Sequence, residues 1–131
     1  MGELRMFVNG QAMSGGSISG ALADATLLGA AITAPEYRFY SVRDEFPGLY
    51  PDTDDGTSVP GELYALSYET LRDALLPREP PELELTVIRM ADGSAALAMR
   101  MREDRLGDPG VVDISDRGGW HAHLAGVRGA S

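Results

Sequence analysis

The sequence predicts a small α+β domain of about six strands with two or three short helices. Three observations predict it. Short apolar runs rich in β-branched and aromatic residues recur along the chain, each cut off by Pro, Gly or Asn. Between them lies one stretch with helical spacing of its apolar groups, Ser67–Leu76. The chain of 131 residues is long enough for one core and too short for two.

Leu4–Val8 is the first strand. It breaks at Asn9-Gly10 and continues through small residues to Gly15-Gly16. Such a loop leaves backbone N–H groups unshielded, so it is either an anion cradle or an ordinary turn after a strand. Ser17–Asp24 reads as a short helix capped by Ser17 or Ser19 and weakened by Gly20. Thr26–Ala34 is a run of small and β-branched residues ended by Pro35, expected to be a buried strand. Glu36–Arg43 alternates so that aromatic groups fall on both faces of a strand.

Asp44–Ser58 reads as a polar loop. Its acids Asp52, Asp54 and Asp55 miss the calcium-loop pattern, because the twelfth position counted from Asp52 is Leu63 where glutamate is needed. A solvated turn is expected there. Val59–Leu66 is a strand entered through Pro60-Gly61, and Ser67–Leu76 is a helix with a Ser67 cap, stopped by Pro77. Glu79-Pro80-Pro81-Glu82 is a stiff connector. Leu83–Met90 and Ala95–Met101 form a hairpin about the turn Ala91–Ser94. Arg102–Gly110 is turn-rich, Val111–Leu124 is a short strand or loop leading to a small helix around Trp120, and the tail from Gly126 is expected to fray. Residues 4–101 form the core of this single domain and 102–131 a C-terminal extension.

Composition removes several chemistries. All 11 basic residues are arginine. The chain therefore has no Schiff-base lysine, no P-loop lysine, and no means of making Gly15–Gly20 the lysine-dependent serine site it superficially resembles. It also lacks cysteine, which excludes disulfides and thiolate catalysis. A net charge of −9 argues against nucleic-acid or anionic-membrane partners. No signal peptide or membrane span is apparent, and Met6 stands where a myristoylation site needs Ser or Thr. A cytoplasmic protein is expected.

Among groups that could do chemistry, Glu79 stands out. Pro77 and Pro80-Pro81 restrict its backbone, and the helix before it must dock on the sheet, so its carboxylate is either a general base raised by burial or an exposed loop residue. Glu62 is a second carboxylate, better read as a structural partner. His121 and His123 have the spacing of a metal pair but no evident third ligand, so no metal is expected. No nucleophile elbow accompanies them, which excludes a serine triad. Tyr37, Tyr40, Tyr64 and Phe39 are expected to be core or pocket wall.

Taken in order, Phe7–Gly16, Pro47-Gly48-Leu49, Val59–Leu66 (VPGELYAL) and a helix ending near Glu79 resemble the γ-glutamylcyclotransferase-like (AIG2-like) family over residues 5–101. The chain is most similar to one branch of it, the C-terminal domain of allophanate hydrolases. That branch has G-x-x-L-S-G where this chain has Gly10–Gly15, and T-A-P-x-Y-R-L-Y where it has Thr33–Tyr40. Ala91-Asp92-Gly93 also looks like that branch. The chain departs from the cyclotransferase pattern where Asn9-Gly10-Gln11-Ala12 replaces Y-G-S-L, and where Leu76 and Pro80 replace the Asp and Gly around the glutamate.

The resemblance implies a small mixed β-barrel with flanking helices and no cofactor. It implies a pocket in which Glu79 is the base and Asn9, Gly10, Gln11, Ala12, Met13 and Ser14, with Tyr37 or Tyr40, bind the substrate. The implied substrate is a small carboxylate-bearing amide or γ-glutamyl amine. An allophanate or urea-pathway role is the alternative, either decarboxylation using Arg38, the histidines or backbone groups, or a non-catalytic partnership with a separately encoded amidase.

Overall fold

A computed structural model describes residues 3–10, 13 and 19–129. Eight strands form one mixed sheet: β1 (Glu3–Val8), β2 (Thr26–Ile32), β3 (Tyr37–Val42), β4 (Phe46–Pro51), β5 (Pro60–Ser67), β6 (Leu83–Arg89), β7 (Ala95–Met101) and β8 (Val111–Asp113). They run in the order β2-β5-β1-β7-β4-β3-β8, with β6 on the other side of β7. The sheet curls into a half-barrel. A single bridge between Thr33 and Met90 ties the end of β2 to the end of β6.

β7 organises this sheet. One of its edges pairs with β6 along the whole strand, from Ala95 with Arg89 to Met101 with Leu83. Its other edge is shared. β1 runs parallel to it at Leu97 and β4 runs parallel to it at Arg100. Two strands cannot occupy one edge at the same height, so β1 and β4 part beside Met99 and leave a cleft between them.

The helical segment after β5 starts at α1 (Tyr68–Thr70), where the Ser67 hydroxyl caps the Thr70 N–H at 3.1 Å. It widens into a π-type stretch, Leu71–Leu75, and tightens to a 3-10 turn, Leu76–Arg78. Leu71 and Leu75 are buried against the sheet. Pro77 lies within the last turn instead of stopping the helix at Leu76, so the helical segment runs two residues further, to Arg78, and Glu79 takes the position that ends it. α2 (Trp120–Gly129) closes the chain, so the expected fraying does not extend to Gly126–Gly129, and residues 130–131 lie outside the described set. Of the expected helix at 17–24, residues 19–22 form one 3-10 turn and residues 17–18 fall outside.

Two expectations are corrected. Asp44–Ser58 is not all loop, because Phe46–Pro51 pairs with β3 in full register from Val42 with Phe46 to Tyr37 with Pro51. Pro47 and Gly48 disguise that strand; neither favours extended pairing by itself. β2 is not buried. It is an edge strand with Leu27, Leu28 and Ile32 exposed, and its small residues suit the bulge at Gly29 rather than a two-sided core. The acidic turn is solvated as expected, with Asp52 accepting the N–H groups of Asp54 and Asp55.

The core is formed by Met6, Phe7, Phe39, Leu49, Leu66, Leu75, Ile114 and Trp120, all almost fully buried. Among the described residues no helix is long and apolar enough to cross a membrane.

Candidate functional site

The cleft beside Met99 is a cavity of about 150 Å³. Met6–Gly10 at the end of β1 form one wall. Glu45, Phe46 and Pro47, where β4 begins, form the opposite one, and Arg78, Glu79 and Pro80 lie across the rim with Leu83 and Met99 beneath. Gly10 makes this arrangement possible, because a Cβ there would overlap the Pro47 ring. At Gly48 an added Cβ would come within 2.7 Å of Leu83 Cδ2 and of the Met101 sulfur.

Glu79 enters from the end of the helical segment. Its backbone is extended, and its N–H donates to the Leu76 carbonyl at 3.1 Å. The chain after it is clamped: Leu83 N–H donates to the Pro80 carbonyl at 3.1 Å, Arg102 Nε to the Pro81 carbonyl at 3.0 Å, and Arg102 N–H to the Glu82 carbonyl at 2.9 Å. Glu82 is itself a buried carboxylate. Arg43 donates to it at 3.1 Å and Arg105 lies 3.7 Å away, which satisfies the charge.

No such partner reaches Glu79 among the described residues. Burial is the only influence on it and pushes its carboxyl up to about 7. Asn9 faces a similar situation as a donor. It is only 9% exposed, and among the described residues its Nδ2 has no hydrogen-bond partner. A buried amide without a partner costs roughly 1–3 kcal/mol, which a ligand oxygen would recover. The cavity therefore combines a near-neutral carboxyl, an amide donor without a partner among the described residues, and walls that are apolar apart from Glu45 and Arg78.

Asn9, Gly10 and Glu79 are thus brought together. Gln11, Ala12 and Ser14 lie outside the described residues. Met13 is buried but lines a different, more open cleft with Ala30, Glu62, Trp120 and His121. Tyr37 and Tyr40 do not line the cavity. The alternation of β3 turns Tyr37 inward, where its hydroxyl oxygen accepts the Arg89 N–H at 2.9 Å, and turns Tyr40 to the half-buried face beside Asp113. Arg38 is likewise paired with Asp113 at 2.9 Å, away from the cavity.

Glu62 accepts from the Tyr64 hydroxyl at 3.2 Å, in keeping with a structural role. His123 is buried and bonded to Asp44 and Arg117, and among the described residues no group of three His, Asp or Glu is placed to hold a metal. Sequence reasoning overlooked Glu45, Phe46, Arg78 and Met99. Only Pro47, inside the Pro-Gly-Leu motif, carried a signal of its wall.

A family model of the allophanate hydrolase C-terminal domain matches residues 4–125. Among solved structures, a uropathogenic E. coli-specific protein superposes with a TM-score of 0.87 at 28% identity, covering 95% of this chain and 98% of that one. Kluyveromyces lactis allophanate hydrolase superposes with a TM-score of 0.89 at 22% identity, covering 97% of this chain and 22% of that one. An AIG2-like protein from Mus musculus does so at 0.65 and 18% identity, covering 83% and 86%. The chain thus corresponds to about a fifth of the yeast enzyme. No curated protein sequence matches it significantly.

Proposed function

From a chain that belongs to the family of the allophanate hydrolase C-terminal domain, we propose an enzyme that acts on a small carboxylate-bearing amide or γ-glutamyl amine, with Glu79 as general base. One observation supports the reading above others: Glu79 lines a cavity whose walls are largely apolar, and burial brings its carboxyl near neutrality. A base of that strength is about half ionised at pH 7 and can both take and return a proton.

In the reaction, ionised Glu79 removes a proton from the substrate α-ammonium. The freed nitrogen attacks the γ-carbonyl carbon, and a ring C–N bond forms. The carbonyl oxygen takes up negative charge, to which Asn9 Nδ2 and N–H groups of the loop from Gly10 donate. The amide C–N bond then breaks as Glu79 gives its proton to the leaving nitrogen, and Glu79 next takes the second proton from the ring nitrogen and passes it to the departing amine, which leaves as an ammonium. The products are 5-oxoproline and a free amine. We place this reaction in the cytoplasm.

The family membership itself favours a second reading, in which the domain serves allophanate or urea metabolism, as a decarboxylase or beside a separate amidase. Release of 5-oxoproline from a panel of γ-glutamyl amines by the wild type and Glu79→Gln separates the two. Loss of at least a hundredfold in the variant is expected. Full activity in the variant rejects Glu79 as base, and an inactive wild type moves the assignment to the second reading.

A further inference from the structure

The cavity around Glu79, at about 150 Å³, is smaller than the roughly 300–1,000 Å³ of sites that enclose a whole ligand. It has room for a polar head and little else. The face of the sheet that floors it does not end at its mouth. Leu83 and Met99 line the cavity, and successive residues of a strand on one face recur every second position. Leu85 and Val87 therefore follow Leu83 on that face, about 7 and 14 Å further along β6. Register repeats the result: Leu85 pairs with Met99, and Val87 pairs with Leu97. Directly paired side chains are neighbours on the same face.

Leu85 and Val87 are 40% and 64% exposed. On this face the apolar surface thus runs without a charged residue from the cavity to Val87, and the first charge beyond it is Arg89, held 3.6 Å from Glu36. Leu27, Leu28 and Ile32 make a second exposed apolar group on β2, but none of them lines the cavity. Continuity with the cavity distinguishes the β6 surface.

We propose that Leu85 and Val87 form a subsite for an apolar tail, so that the ligand is an amide or amine whose N-substituent is an alkyl or comparable apolar chain of about four to six carbons. The head lies in the cavity, and the tail leaves between Leu83 and Met99 along β6. This rests on the reading of Glu79 given above, and it concerns the leaving group rather than the chemistry.

The test measures binding and turnover separately, with γ-glutamyl methylamide and γ-glutamyl hexylamide as probes on the full chain. The wild type is expected to bind the hexylamide at least tenfold more tightly, since a fully buried methylene is worth about fourfold and the tail is only half covered. In Leu85→Thr/Val87→Thr that ratio should fall below threefold. Threonine is β-branched and suits a strand at both positions. In Leu27→Thr/Leu28→Thr, at the other exposed apolar group, the ratio should stay as in the wild type.

Equal affinities in the wild type, absence of binding by either probe, or a ratio that survives the β6 variant would overturn the subsite. A ratio lost equally in the β2 variant, which points to a general loss of fold or a second docking face, would overturn it too. Tail-dependent binding without 5-oxoproline release would sink the cyclisation reading alone. Release with no dependence on chain length would sink the tail alone.

Discussion

His123 Nε2 lies 2.6 Å from Asp44 Oδ1, joining the C-terminal helix to the hairpin turn that carries one wall of the cavity. Arg117 contacts the other ring nitrogen, Nδ1, at 3.2 Å. A guanidinium has donors only, so Nδ1 accepts and the ring proton sits on Nε2, which donates to Asp44. Asp44 also accepts from the Ser41 hydroxyl at 2.8 Å. These contacts hold a turn in which Arg43 and Asp44 both have positive φ, 54° and 57°, a conformation non-glycine residues rarely adopt. Glu45, Phe46 and Pro47 follow immediately.

Removing the histidine should therefore loosen the turn. His123→Ala is expected to lose about 2–4 kcal/mol of stability in urea unfolding, because it empties a buried site and removes the bond that ties the turn to the helix. His123→Asn, which can still donate, should lose less. Equal stability of His123→Ala and wild type would refute the brace.

Asp44 gives the same contact a pH dependence. The bond from His123, and then that from Ser41, hold its carboxyl below the usual range. Its contribution is thus fully present above the ordinary carboxyl value and is lost as pH falls through the depressed one. Asp44→Asn should differ most from wild type near neutrality and converge with it in acid, as read from unfolding midpoints between pH 2 and 7.

Glu79 has the opposite sign. Its folded value, about 7, lies above the ordinary 4.5. Stability is full below about 4.5 and falls as pH rises through about 7, by up to about 3–4 kcal/mol at roughly 1.4 kcal/mol per tenfold change in proton affinity. Glu79→Gln should match wild type near pH 4 and be more stable at pH 8. A variant less stable at pH 8 would mean that the carboxylate has a partner when ionised.

Arg43 supports the connector on the far side of Glu79. Its replacement by alanine would leave the buried Glu82 carboxylate with Arg105 alone, 3.7 Å away. A loss of about 1–3 kcal/mol is expected. A shift of the Glu79 titration, followed by carboxyl carbon NMR, would accompany it.

Gly10→Ala should cost about 1–3 kcal/mol through overlap with Pro47, and should narrow the cavity. Unfolding and probe affinity both measure it. An alanine variant with wild-type stability and binding would show that Gly10 and Pro47 can part without consequence.

Much of this fold was legible in the chain. Leu4–Val8, Val59–Leu66 and the Leu83–Met101 hairpin announce themselves by alternation and by turn residues at their ends, and the proline-bound Glu79 marked itself by local stiffness alone. β4 did not, because Pro47 and Gly48 become strand only through β3, and β2 looked buried because small apolar residues suit a core and a bulged edge alike. Tyr37 and Tyr40, three positions apart in the sequence, were both pocket candidates; the pleat of β3 sent them to opposite faces, neither of them in the cavity.

By itself, the sequence determined most of the strands, the exclusion of lysine and cysteine chemistry, and a stiff carboxylate after a helix. These follow from local propensity and composition. Tertiary structure alone decided that β1 and β4 share one edge of β7 and must part at Met99. It also decided that Asn9 Nδ2 has no partner among the described residues and that burial raises the Glu79 carboxyl. Burial and pairing between residues far apart in the chain set those properties, and no local pattern encodes them.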